Sequence, residues 1–114
     1  MMRIVRSPMP LADLAKMAQE SFAELVKAVV DVRRGIMAIG GDLHSDEEQM
    51  LLQDGSRQED LWGINLHPSS TGESMVEFDS MINVRPRQGN RSRGVENAET
   101  RKQILNIVKN LVRT

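Results

Sequence analysis

Between Leu25 and Ile39 the chain carries two apolar runs rich in β-branched residues, separated only by Arg33-Arg34-Gly35, and no other feature restricts its folding as much. The first run is too short for a good helix, whereas Val26, Ala28, Val30 and Val32 fall on one face of a strand. Gly35 is placed to supply the positive φ of a tight turn, so the segment reads as a β-hairpin. Gly40-Gly41 then ends or bends the second strand.

The flanking sequence alternates helix and strand signals. Met2 to Arg6 suits a short strand, broken by Ser7-Pro8-Met9-Pro10, and the prolines set up a helix over roughly 10–22. Its apolar stripe is Leu11, Leu14, Ala15, Ala18 and Phe22. Ser45-Asp46-Glu47-Glu48 has the form of a capping box opening a short helix over about 46–53, with Gly55 placed to close it. Leu61–His67 and Met75–Val84 read as a second antiparallel hairpin across the polar turn Ser69-Ser70-Thr71-Gly72, with Val76, Phe78, Ser80, Ile82 and Val84 on one face. A last helix begins after Asn97 as N-cap and carries Ile104, Leu105, Ile107, Val108, Leu111 and Val112. The order β-α-β-β-α-β-β-α predicts an α+β fold: one domain over 1–114, an antiparallel or mixed sheet of about five strands, and three helices on one face.

The core must be aliphatic, because aromatic residues make up 3% of the 114 residues, and Trp62 is expected to anchor it. Eight methionines add adaptable filling. The absence of cysteine excludes disulfides, thiolate metal sites and a cysteine nucleophile, and it fits a reducing compartment. With no signal-peptide pattern and no long apolar stretch, a cytoplasmic location without membrane contact is expected. No nucleophile elbow, HExxH motif or glycine-rich nucleotide loop is present, so no cofactor is predicted.

Charge is unevenly distributed. Residues 42–60 hold seven acids against one base, a local charge of −6, and residues 85–114 hold eight bases against two acids, a local charge of +6. Within the basic part, 85–95 places Arg85, Arg87, Arg91 and Arg93 among Asn90, Ser92 and two glycines, directly before a helix. Guanidinium forks pair with phosphate oxygens and flexible backbone exposes N–H groups, so this loop predicts an anion site. Two readings stand open. Either Arg85, Arg87, Asn90, Arg91, Ser92 and Arg93 meet an external phosphate, or the arginines pair with the acids of 42–60, with Asp79, or with a partner subunit. Asp79, an acid on an expected strand, either points to solvent or pairs with an arginine of the adjacent loop and so orders it. His44 and His67, the two histidines, are the available metal or acid–base candidates, although their spacing does not demand that chemistry.

The stretches Lys27–Gly41 (KAVVDVRRGIMAIGG), Gln58–Asn65 (QEDLWGIN) and Phe78–Val95 (FDSMINVRPRQGNRSRGV) together resemble an uncharacterised domain family of short prokaryotic proteins. The resemblance implies one intact domain and carries over no catalytic residue. The leading expectation is a non-enzymatic binding module whose loop 85–95 contacts a phosphorylated ligand or nucleic-acid backbone. The alternatives are a homo-oligomer joining 42–60 of one chain to 85–113 of another, and a small metal-assisted hydrolase using the histidines and nearby acids.

Overall fold

In a computed structural model that describes residues 1–21 and 24–114, five strands form one antiparallel sheet. Its members are β1 (Arg3–Val5), β3 (Val26–Asp31), β4 (Ile36–Ile39), β5 (Leu61–Leu66) and β6 (Val76–Glu77), in the order β1-β4-β3-β5-β6. The helices are α1 (Leu11–Gln19), α2 (His44–Gln53) and α3 (Ala98–Leu111). The expected α+β class, with three helices and about five strands, is thus observed.

The hairpin β3–β4 forms in the register Asp31↔Ile36 to Ala28↔Ile39. Its turn is held by Asp31, whose Oδ1 accepts the N–H groups of Arg33 and Arg34, both at 2.9 Å. Gly35 closes it at φ 68°, a region that costs side chains with a Cβ but not glycine. On the other side β3 pairs with β5 from Val26↔Leu66 to Asp31↔Leu61, placing Lys27 opposite Asn65 and Val29 opposite Gly63.

The central strands are buried on both faces, and this corrects the expectation that all helices share one side. Val26, Ala28, Val30, Trp62, Ile64 and Leu66 pack with Leu14 and Ala18 of α1 and with Ile104, Val108 and Leu111 of α3. Val29, Ile36, Ala38 and Leu61 form a second cluster with Leu51 of α2. Strands covered on both faces read as continuous apolar runs, as β3 and β4 do, and that was the available sign of a third layer. Trp62 is 7% exposed and belongs to the larger core, as its sequence context suggests.

Several local expectations change. Helix α1 ends at Gln19, short of the predicted boundary, and Phe22 lies outside the described residues. The capping box at Ser45 does not form: α2 begins at His44, its N-cap is Leu43, and no side chain caps it. Glu47 turns away to accept the Gly41 N–H at 2.9 Å. At the other end Ser56 N–H reaches the Leu51 carbonyl at 2.9 Å and Gly55 N–H that of Leu52 at 3.2 Å, the paired bonds of a glycine-closed helix. Asn97 caps α3 as expected, accepting from Thr100 N–H at 3.0 Å. Two short strands went unforeseen: β2 (Met9–Pro10) pairs in parallel with β7 (Val112–Arg113) and ties the start of α1 to the end of α3.

The second hairpin is real but brief. Strand β6 pairs with β5 only at Asn65↔Glu77 and Leu66↔Val76. The expected strand through Phe78–Val84 is replaced by irregular chain and a 3-10 turn over Met81–Asn83. Gly63 explains the departure. A Cβ there would lie 2.5 Å from Ser80 Cβ and 3.1 Å from Ile82 Cγ1, so the chain after β6 crosses directly over the glycine instead of running beside it.

Candidate functional site

The loop 85–95 grows out of that crossing. Where β6 stops, the Asn83 side chain takes over as a substitute strand: its Oδ1 accepts the Gly63 N–H at 2.8 Å and its Nδ2 donates to the Gly63 carbonyl at 2.9 Å. The same Nδ2 donates to the Arg93 carbonyl at 2.9 Å, and Ser80 N–H reaches that carbonyl as well. One buried amide therefore joins the sheet edge to both ends of the loop.

Within the loop, Arg85 and Asn90 bridge as an antiparallel pair, with N–H to carbonyl distances of 2.7 and 3.2 Å, around a 3-10 turn over Pro86–Gln88. The Asn90 side chain is 3% exposed. Its Nδ2 donates to the carbonyls of Asn83 at 2.7 Å and Gly94 at 2.8 Å, and its Oδ1 accepts the Glu96 N–H at 2.8 Å. With every polar atom engaged, Asn90 is a framework residue and not the free ligand group that the sequence suggested.

The four arginines divide in the same way. Arg85 lies 4.2 Å over the Trp62 ring, and its guanidinium donates to the carbonyls of Gln58 and Leu61. Burial pulls its pKa below the usual arginine value, with the Glu48 charge opposing. Gln88 docks beside it on the Glu59 carbonyl at 3.0 Å. The loop thus rests on the acidic segment through backbone carbonyls, and no described ion pair joins an arginine of 85–95 to a carboxylate of 42–60. Asp54, within that segment, pairs instead with Arg6 and Arg34, both at 2.7 Å. Arg93 pairs with Asp79 at 2.6 Å, as the loop-ordering role for that acid requires. Arg87 and Arg91 are exposed, and among the described residues neither guanidinium has an ion-pair partner.

Sequence reasoning missed Glu96. Its Oε2 accepts the N–H groups of Arg91 at 2.7 Å and Ser92 at 2.8 Å. These bonds, that from Ser92 first, hold its carboxyl below the usual carboxylate range. A groove of about 520 Å³ lies between the loop and the start of α3, bordered by Glu59, Trp62, Gln88, Asn90, Glu96 and Asn97.

The histidines sit elsewhere and have no partner in common. His67 meets Glu77 at 2.9 Å, and Glu77 also accepts from Asn65 at 3.1 Å. His44 Nε2 lies 2.7 Å from the Ile64 carbonyl, which makes that nitrogen the donor. Burial lowers the His44 pKa, outweighing the opposite effect of that hydrogen bond, so the ring is neutral at pH 7. Among the described residues no three of His, Asp or Glu come together as a metal ion would need. Beneath α2, Glu47 is fully buried against Gly41, where a Cβ would stand 2.8 Å from Glu47 Cγ. Desolvation pushes its carboxyl up to about 9, so it is a neutral acid at pH 7.

These features define a small α+β domain with a rigidly framed basic loop at one sheet edge. The chain belongs to the family described as Protein of unknown function (DUF5674), whose model matches residues 3–111. The resemblance to an uncharacterised family is thereby borne out. No curated protein and no solved structure matches the chain significantly. No helix is long and apolar enough to cross a membrane among the described residues.

Proposed function

We propose that this domain is a non-enzymatic binding module whose loop 85–95 takes a phosphate group, with Arg87 and Arg91 as the contacting cations. The supporting observation is the sorting of the arginines. Arg85 is consumed by the fold and Arg93 by Asp79, whereas Arg87 and Arg91, without an ion-pair partner among the described residues, extend from a frame already fixed by Asn83 and Asn90. A cation held on a rigid base loses less entropy on binding than one on a mobile loop, which favours capture of an anion. Exposed arginines without carboxylate partners also keep the charge that internal pairing would cancel.

The test is an NMR titration at low salt with a 5′-phosphorylated oligonucleotide. The Nε–H signals of Arg87 and Arg91 are expected to shift, and the double substitution R87A/R91A is expected to abolish the response while leaving the fold intact. An unchanged spectrum at millimolar ligand contradicts the proposal. The homo-oligomer reading draws on the same unneutralised charge. Sedimentation at two salt concentrations separates the two, since only that reading predicts a dimer that salt dissolves.

A further inference from the structure

Two successive backbone amides converge on one carboxylate oxygen in this loop, and the carboxylate comes from the chain itself. Arg91 N–H and Ser92 N–H reach Glu96 Oε2 at 2.7 and 2.8 Å, lengths of charge-assisted hydrogen bonds. Adjacent amides pointing to a common oxygen form a concavity of the kind that binds phosphate. Arg91, Ser92 and Glu96 are all exposed, so the acid reaches its seat from solvent and can leave it without opening the core. The neighbouring joints do not depend on it: the Glu96 backbone N–H is held by Asn90 Oδ1 at 2.8 Å, and the Val95 and Glu96 carbonyls are held by Arg101 at 2.7 and 2.9 Å.

We infer that Glu96 is a tethered stand-in for the ligand, and that a phosphomonoester binds the Arg91 and Ser92 amides by displacing the Glu96 carboxylate. This inference rests on the binding function proposed above and specifies its ligand. The monoester follows from the shape of the present occupant. Glu96 enters end-on through a single substituent, with one oxygen on both amides. A monoester also has one substituent, and its terminal oxygens can serve the amide pair while still meeting the Arg91 guanidinium. A diester enters with two substituents and a single charge. A monoester carries close to two negative charges at neutral pH, so it can outcompete a monocarboxylate. The tether makes that competition stringent, since a short linker gives an effective concentration on the order of millimolar. The stand-in therefore excludes stray carboxylates and chloride while yielding to a dianion.

The experiment follows backbone amides and the Glu96 side-chain carboxyl carbon by NMR in the intact chain. Inorganic phosphate, phenyl phosphate and dimethyl phosphate are added separately. Phosphate and phenyl phosphate are expected to move the Arg91 and Ser92 amides together with the Glu96 carboxyl signal, and dimethyl phosphate to leave all three in place. E96Q, which keeps the side-chain shape and removes its charge, is expected to bind phenyl phosphate roughly tenfold more tightly. If only the arginine side-chain signals respond, the displacement inference fails while the binding function stands. If no signal responds, both fail. An equal response to the diester, or unchanged affinity in E96Q, overturns the monoester assignment.

Discussion

Single side chains in this protein are best understood by asking what already occupies them. Arg85 and Arg87 are two residues apart and chemically identical, yet one is spent on the Trp62 face and two carbonyls and the other faces water. R85A removes a desolvated cation–π contact and leaves two carbonyls short of a donor, so it is expected to cost about 2 kcal/mol in urea unfolding. R87A and R91A should each stay within about 0.5 kcal/mol of the parent. Equal losses for all three would mean that the arginines are not sorted in this way. Glu47 supports a second prediction at this scale. Its folded pKa, about 9, lies above its unfolded value, so the folded state holds the extra proton and stability falls as pH rises through the interval between them. The slope can reach about 1.4 kcal/mol per pH unit. E47Q, which cannot ionise, should flatten that slope between pH 6 and 8. The same slope in parent and variant would show that Glu47 is charged in the fold.

At the level of elements, the decisive junction is Gly63 under Ser80 and Asn83. N83A strands the Gly63 amide and carbonyl in a buried place, and about 3 kcal/mol of stability should be lost with them. Hydrogen exchange should quicken at Gly63 while the Arg33 and Arg34 amides in the β3–β4 turn keep their protection. Uniform loss of protection would mean that Asn83 does not act locally. This junction also explains which parts were legible beforehand. The β3–β4 hairpin and α3 with its Asn97 cap follow from local patterns of apolar and turn residues, whereas Val112, expected on the apolar stripe of α3, lies in β7. The stretch Phe78–Val84 alternates just as a strand does, but its place beside β5 is taken by a side-chain amide, and alternation cannot distinguish a neighbouring backbone from an asparagine imitating one. Pairing of β2 with β7 joins residues about a hundred positions apart through two residues each, too little pattern to detect. Gly63 within an apolar strand was a visible sign of close approach, and it did mark the place where the site is built.

Across the whole molecule, the charge separation seen in the sequence survives folding. Arg85 rests on the carbonyls of Gln58 and Leu61, the Asp54 carboxylate is taken by Arg6 and Arg34 instead, and Arg87 and Arg91 remain unpaired among the described residues. The sequence singles out 85–95 as a basic loop, and the phosphate ligand remains the proposal made above. It could not separate the framework groups Arg85 and Asn90 from the presented ones, because that distinction lies in which carbonyls the folded sheet leaves within reach. The measurement that tests this account most directly is the affinity for a 5′-phosphorylated oligonucleotide across a salt series, in the parent and in R87A/R91A. The account predicts that affinity falls steeply with salt in the parent and that the double variant loses about one unit of log–log slope for each arginine removed. A parent with no measurable affinity at low salt, or a double variant that binds with the parent's slope, would contradict it.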